Sequence, residues 1–499
     1  MSGADGSSRA AKTFRDIFNS GRPLTWVRSS EEQRVGNVLR GMGTPLWTWS
    51  LTEGLVRNRP DSEAARGGSA EPDTHSPRAA LDFIAAFEGP GIFHLKDFHE
   101  PLRDSPEIRR RLRDVYEACL DRGKFVVITS PTADIPAEIE RSVISVELRP
   151  PDIVEMTGLL GEEKESAGLG DDELSELARA LQGLTLDEAR YALRRGLAAY
   201  GKLGPEALPA ILEEKRLLVN RSGVIENITS GGNLTEVGGL EGLKSWLIDR
   251  GKLFHMRASL TKELVPKGVL IMGIPGCGKS LCVKAIASHF GLPLYRVDMI
   301  EIFSGRHGKP EGAFVAACRM MEDMAPAVLW FDEIEMGITA TESSGEQGRI
   351  FAFFLTWMQE KTRGLFVAAT ANRIDLLPAE MIRKGRFDEV FFVDLPQEDE
   401  QIEIFRIHLE RRGIDVSGFD LAKLTQFTAG WTGAEIEQCV VSAVTKSLLA
   451  GQPLTEKDLV GTAVKIVPLS RTMKEQISHI RGWAFERAVR ASPQKRPGG

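Results

Sequence analysis

No stretch of this 499-residue sequence approaches the roughly 20 uninterrupted apolar residues that a membrane helix needs. The first dozen residues are small and polar, without the apolar core of a secretory signal. Cysteine is scarce. Cys119, Cys277, Cys282, Cys318 and Cys439 include no C-x-x-C pair, and four of them sit in apolar or glycine-rich surroundings. That pattern reads as small core residues in a reducing compartment, not as a disulfide frame. An excess of basic charge is missing too. With 63 Lys and Arg against 70 Asp and Glu the net charge is -7, which gives no bulk reason to coat nucleic acid or an anionic membrane. No H-E-x-x-H occurs, and His99-Glu100 is followed by Pro101, which breaks the helix a zinc-protease site needs. What remains is a cytoplasmic globular protein, whose length and 42% apolar content suffice for two or three domains.

Apolar periodicity divides the chain. Residues 1–20 and 491–499 carry none and read as disordered ends, and residues 57–78, rich in Gly, Pro, Ser and charge, read as a surface insertion. Within 21–225, apolar runs at 46–49, 91–95, 125–129 and 143–148 read as buried strands separated by helical stretches such as 107–120. Strands alternating with helices predict an α/β domain with a covered parallel sheet, ending in small amphipathic helices over 171–200. Near Leu234 the pattern restarts. Strand candidates at 267–272, 294–298, 327–331, 365–369 and 390–394 define a second α/β core over 226–396. A helical bundle follows over 397–490, with helix-start signals at Thr432 and Thr455.

Gly273-Ile-Pro-Gly-Cys-Gly-Lys279-Ser280 satisfies G-x-x-x-x-G-K-S between an apolar strand and a helix-compatible run. Glycines let backbone amides converge on a β-phosphate, and the helix N-terminus adds its dipole. The expected ATP-binding set here is Pro275, Gly276, Cys277, Gly278, Lys279, Ser280 and Leu281. Lys279 reaches the β- and γ-phosphates and Ser280 offers its hydroxyl to Mg²⁺. Downstream, Val328-Leu-Trp-Phe-Asp332-Glu333 is a buried strand ending in two carboxylates. Asp332 suits Mg²⁺ coordination, and Glu333 is the candidate base that polarises the attacking water. Asn372 stands at another strand tip, where its amide would orient that water.

Arg383-Lys-Gly-Arg386-Phe-Asp388, Glu236-Val-Gly-Gly-Leu240 and Gly430-Trp-Thr-Gly433-Ala434-Glu435 resemble motifs of the classical clade of AAA+ ATPases over about residues 230–465. The resemblance implies a P-loop NTPase core with a C-terminal helical lid, working as a homo-oligomeric ring, often a hexamer. It implies that Arg383 and Arg386 reach the γ-phosphate of a neighbouring subunit, and that Gly238, His408, Gly433 and Ala434 lie beside the nucleotide. Other AAA+ clades carry a sensing arginine where Ala434 stands. The wording Ala325-Pro-Ala-Val-Leu-Trp-Phe-Asp-Glu-Ile334, with Leu95-Lys-Asp-Phe-His99 in the first half, is similar to one branch. It is the "hypothetical chloroplast reading frame" AAA proteins of plastids, cyanobacteria and other bacteria, which would place an organellar member in the plastid stroma.

The two halves echo each other. Phe125-Val-Val-Ile-Thr-Ser-Pro131 parallels Phe366-Val-Ala-Ala-Thr-Ala-Asn372, and Ile135-Pro-Ala-Glu-Ile-Glu-Arg141 parallels Leu377-Pro-Ala-Glu-Met-Ile-Arg383. On this mapping the first half is a degenerate AAA-like domain without a nucleotide site. Leu24 to Gln33, with no glycine and no lysine, stands at the P-loop, Phe98 replaces the catalytic Glu, and Pro131 replaces Asn372. The alternative is an unrelated α/β domain; either would serve as a recognition or ring-building platform.

Threading AAA machines carry an aromatic-apolar-Gly pore loop. Here Arg306-His307-Gly308 aligns with that grip, with Phe303 as the alternative aromatic. The expected function is therefore a ring-forming ATPase that remodels an unidentified protein client. A nucleotide-controlled scaffold with slow turnover is the second reading. A nucleic-acid motor is the third, supported only by the basic pore loop and Arg109-Arg-Arg111.

Overall fold

An apolar run such as Gly-Val-Leu-Ile-Met-Gly over Gly268–Gly273 buries both faces of its strand, so helices must cover the sheet on either side. The computed structural model describes residues 8–58, 71–162, 169–220, 223–228, 232–306, 308–335, 347–362, 364–383 and 385–493. The chain divides into two units, residues 1–215 and 216–499.

Among its described residues the first unit holds six strands, β1 (Leu24–Arg28), β2 (Leu46–Ser50), β3 (Gly54–Asn58), β4 (Gly91–Lys96), β5 (Lys124–Ser130) and β6 (Val143–Glu147), in the order β3-β2-β4-β5-β1-β6. The β2–β3 hairpin is antiparallel and every other pairing is parallel. The second unit holds β7 (Ile225–Ile228), β8 (Gly268–Gly273), β9 (Leu294–Val297), β10 (Ala327–Phe331), β11 (Leu365–Ala371), β12 (Glu389–Val393) and β13 (Val489–Arg490). Their order is β13-β12-β8-β11-β10-β9-β7, with only β7 antiparallel to its neighbour. Numbered in chain order, β1, β2, β4, β5 and β6 of one sheet and β8 to β12 of the other both run 5-1-4-3-2, and both sheets have an antiparallel strand beside the second of these.

Alternation along β8 sends Leu270 and Met272 into one core cluster and Val269 and Ile271 into the other. A helical lid follows β12, built on helices Glu398–Glu410, Leu421–Thr425, Gly433–Ala450 and Glu456–Ala463. Phe405, Leu409, Trp431, Ile436 and Leu459 form its own core. The start signal at Thr432 is a full capping box. The Glu435 amide donates to the Thr432 hydroxyl at 3.3 Å, and the Thr432 amide donates to the Glu435 carboxylate at 2.8 Å.

The structure corrects several boundaries. Residues Arg9–Asn19 form a helix that buries Ala10, Phe14 and Ile17, so only residues 1–7 of the expected disordered end lie outside the described residues. Three apolar positions at helical spacing suffice for that, among polar residues that mask them. At the other end Ala491 is buried, and its amide bonds Phe392 O at 2.9 Å. The tail thus begins later than 491, and residues 494–499 lie outside the description. The lid also ends before 490. Helix Lys474–Phe485 buries Ile477, Ile480 and Ala484 in the sheet's clusters, and β13 adds to the sheet edge. A boundary at 225/226 would cut β7, which pairs with β9. Of the expected insertion at 57–78, residues 59–70 lie outside the description, while residues 57–58 end β3 and residues 77–78 begin helix Pro77–Ala86. Strands β1, β3, β7 and β13 were not among the sequence-predicted strands; all are short.

His94 on β4 is fully buried, its Nε2 lies 2.8 Å from Thr129 Oγ1, and burial, then Lys96, pushes its imidazole down to about 3. A folded pKa below the ordinary 6.5 means that the unfolded chain takes up a proton the folded one refuses. The corresponding stability is fully present above pH 6.5 and is lost as the pH falls toward 3. The slope reaches at most about 1.4 kcal/mol per pH unit. Chemical denaturation at a series of pH values should show a flatter acid limb for His94→Gln than for the parent, and superimposable limbs would remove His94 as a source of acid sensitivity.

Candidate functional site

At the exit ends of β8, β10 and β11 the chain must turn, and the loops there enclose a cleft of about 470 Å³ between sheet and lid. The P-loop forms its floor. Gly273, Gly276 and Gly278 all have positive φ, at 144°, 78° and 89°, where a side chain would be strained. At Gly273 an added Cβ would also lie 2.0 Å from Val393 O. Helix Lys279–Phe290 starts on this loop, so its first amides face the cleft. Lys279 is buried, and its Nζ donates to Gly273 O at 3.0 Å and Ile274 O at 2.9 Å. Burial pushes that ammonium down to about 8, against the pull of the nearby acidic groups, including Glu335, Asp332 and Glu333. Cys277 is a buried thiol pushed up to about 12 by burial, so it enters the loop as packing and not as a nucleophile.

The structure gathers Gly238, residues 275–281, Asp332, Glu333, Asn372, His408, Gly433 and Ala434 around this one cleft. Gly238 is small because Ile404 of the lid packs against it, 2.5 Å from where a Cβ would stand. The neighbouring amides of Gly239 and Leu240 donate to Glu403 and Glu400 of the same lid helix, at 2.6 and 3.0 Å. The Ala434 amide donates to Gly276 O at 2.9 Å, which joins the lid to the P-loop directly. His408 Nδ1 lies 3.6 Å from Glu437; burial lowers its pKa and the carboxylate opposes that.

Two acidic-strand partners escaped sequence reasoning. Thr370 on β11 donates its hydroxyl to Asp332 Oδ1 at 2.6 Å and accepts the Glu333 amide at 3.1 Å. Glu333 has φ of 45°, a left-handed conformation that this tether holds in place. Asn372 Nδ2 donates to Glu333 Oε1 at 2.7 Å. Glu335 is the second partner. It is 1% exposed, and its Oε1 accepts the amides of Asn372 and Arg373 at 2.7 and 3.0 Å. Burial pushes its carboxyl up while those amides pull it down. Only knowledge that β10 and β11 are neighbours would have revealed either.

Arg383 and Arg386 do not line the cleft. Asp388 pins their loop to the entry end of β8, accepting the Lys267 and Gly268 amides at 2.7 and 2.9 Å, and Lys267 Nζ donates to Gly385 O at 2.9 Å. Arg383 is exposed, and Arg386 donates to Glu380 O. In the candidate pore loop Phe303 packs against the core, Arg306 pairs with Glu301 at 3.1 Å, and His307 lies outside the described residues.

In the first unit, taken by itself, the strand register corrects the sequence mapping. Lys96 stands opposite Thr129 on β5, so Lys96 corresponds to Asp332 and Asp97 to Glu333, while Phe98 matches Ile334. Asp97 has a positive φ of 49°, close to the 45° of Glu333, and Phe98 is buried as Ile334 is. Residues 24–28 are β1 itself, which leaves only Ser29 to Glu31 between strand and helix where the second unit has five residues, Ile274 to Gly278. Charges are reversed there. Glu32 opens the following helix where Lys279 opens its own, and it pairs with Lys96 at 3.4 Å. The Glu31 carboxylate accepts the Leu186 amide at 2.8 Å and pairs with buried Arg34 at 2.9 Å, which also binds Glu155 at 2.8 Å.

Comparison with known proteins agrees with this layout. The family described as "ATPase family associated with various cellular activities (AAA)" matches residues 269–395. The N-terminal domain and second domain of SpoVK-like AAA ATPases match residues 10–148 and 154–222. The AAA domain-containing protein ycf46 of Guillardia theta is 32% identical over 96% of this chain and 96% of its own length. Its namesakes in Trieres chinensis and Pyropia yezoensis are 32% and 31% identical, over 95% and 96% of this chain and 96% and 98% of theirs. Among the described residues no helix is long and apolar enough to cross a membrane.

Thr370→Val should cut ATP turnover roughly tenfold to a hundredfold, because it frees both acidic residues from their common tether. Thr370→Ser, which keeps the hydroxyl, should stay close to the parent. Equal steady-state rates for the parent and the valine variant would show that the tether does not position the acids.

Proposed function

This chain belongs to the AAA family of ATPases, within the ycf46 group, and on that premise we propose that it is a ring-forming ATPase that remodels a protein partner. The donor set suits Mg-ATP: convergent amides at a helix N-terminus, a buried lysine, and both Ser280 and Asp332 lining one cleft. Ser280 and Asp332 would hold Mg²⁺, which neutralises charge across the β- and γ-phosphate oxygens. Lys279 exchanges its loop carbonyls for phosphate oxygens. Glu333 polarises the attacking water, with Asn372 fixing the orientation of its carboxylate.

One observation carries the ring. The loop bearing Arg383 and Arg386 is pinned at the entry end of β8, and the P-loop leaves from its exit end. Five residue steps, from Gly268 to Gly273, separate the two ends, about 16 Å at the usual rise. An arginine spans less than half of that, and neither side chain lines the cleft of its own chain, which supports a reach toward the γ-phosphate of another copy. A guanidinium supplied in trans stabilises transition-state charge and makes turnover depend on assembly.

The first unit would choose the client, without a nucleotide of its own. Its short loop and its Glu32–Lys96 pair support that reading, since a carboxylate in place of the P-loop lysine repels phosphate. The scaffold reading draws on the Asn372 bond to Glu333, which occupies part of the base. Of the two features behind the nucleic-acid reading, the arginine triplet is engaged within the chain: Arg109 pairs with Glu138 at 3.2 Å, Arg110 with Asp114 at 2.8 Å, and Arg111 with Asp82.

Glu333→Gln should keep ATP binding and abolish turnover, and Arg383→Ala and Arg386→Ala should each lose roughly a hundredfold or more. Mixing Glu333→Gln with Arg383→Ala should restore measurable hydrolysis, because an intact base then meets an intact arginine across an interface. A mixture as inactive as its components would refute the trans arrangement. Titration should give one nucleotide per chain; two would refute the empty first unit.

A further inference from the structure

The segment that follows β10 is stitched to the tip of β11 residue by residue. Asp332 Oδ1 accepts the Thr370 hydroxyl, the Glu333 amide reaches that same hydroxyl, and the Ile334 amide donates to Thr370 O at 3.0 Å. Glu335 closes the row with a side chain. Its Oε1 accepts two consecutive amides, those of Asn372 and Arg373, just where β11 ends and ladder partners run out.

We infer that Glu335 is a positioning residue for hydrolysis: its carboxylate fixes the backbone of Asn372, and Asn372 in turn aims the Glu333 carboxylate at the water. The chain of contacts is short and directional. Glu335 Oε1 holds the Asn372 amide at 2.7 Å, and Asn372 Nδ2 holds Glu333 Oε1 at 2.7 Å. Glu335 does not line the nucleotide cleft, whereas Asn372 and Glu333 both do. Its hold on the geometry of the reacting groups therefore passes through those two residues, while its charge also acts on Lys279. What the position requires is an accepting oxygen that reaches two donors. An uncharged amide oxygen, with two lone pairs, meets that requirement as a carboxylate oxygen does. An apolar side chain leaves both amides without their acceptor and lets the strand tip move.

The inference rests on the hydrolytic reading of the cleft, and its test separates the two. If the parent protein fails to hydrolyse ATP, that reading falls. If the parent hydrolyses ATP, Glu335→Ala should lower kcat roughly tenfold or more while nucleotide affinity, titrated with a non-hydrolysable ATP analogue, changes less than about threefold. Glu335→Met fills the same space without an acceptor and should behave alike, which covers a failure of the alanine variant to fold. Glu335→Gln should recover most of the loss.

Two further measurements distinguish positioning from general support. Amide hydrogen exchange at Asn372 and Arg373 should accelerate in the methionine variant and not in the glutamine variant. In the Asn372→Ala background, Glu335→Met should add less than about threefold to the loss, because both changes break one chain of contacts. Multiplicative losses, unaltered kcat in the methionine variant, or a fall in nucleotide affinity of the same size as the fall in kcat would each overturn the inference.

Discussion

A parallel strand buried on both faces can present polar groups only at its two ends. That constraint orders the whole second unit. Residues 268–273 of β8 are buried throughout, so its chemistry is expelled to the turn at Gly273 on one side and to Lys267 and Gly268 on the other. The exit ends gather the P-loop, the acidic pair and Asn372. The entry end holds the arginine loop through Asp388. The cleft and the arginine loop are thus tied to opposite ends of one strand, which is the physical ground for proposing a site shared between copies.

The lid answers a second requirement. The P-loop and the segment around Gly238 are surface loops, and loops hold a ligand only when something fixes them. Here the helix Glu398–Glu410 supplies carboxylates to the Gly239 and Leu240 amides, and the capped start of Gly433–Ala450 meets Gly276. Nucleotide in the cleft would touch both sheet and lid, so the lid is placed to respond to it. In the first unit the corresponding place is spanned by the chain's own ions. Glu31 bonds the start of helix Leu186–Tyr200 and Arg34 ties it to Glu155. A buried guanidinium with two carboxylate partners is costly to break, since either loss strands a charge. One strand order thus supports two solutions, one built on a P-loop and one lined by internal ion pairs.

Much of the fold was legible. The strands β4, β5, β8, β10 and β11 announce themselves as apolar runs because burial on both faces admits nothing else. The Thr432 capping box was visible because its partners are three residues apart. Illegible were the short edge strands β7 and β13, whose pairing comes from distant chain. So was the helix Arg9–Asn19, whose three buried positions are diluted by polar neighbours. The mapping of Phe98 onto the catalytic position was one residue out, because string similarity carries no register and a one-residue slip changes which side chain reaches the site.

The sequence alone determined the nucleotide chemistry, because the P-loop is a local motif: glycines, lysine and serine act through the backbone they sit on. The acidic pair was equally plain, being the terminus of one recognisable strand. Tertiary structure decided how those groups are held. Thr370 and Glu335 matter only because β11 lies beside β10 in one register, and Asp388 only because β12 lies beside β8. It also decided that Lys96, facing Glu32, stands where the second unit has Asp332. Local motifs encode what a site is made of; contacts between residues far apart in the chain encode its aim, and no local pattern records them.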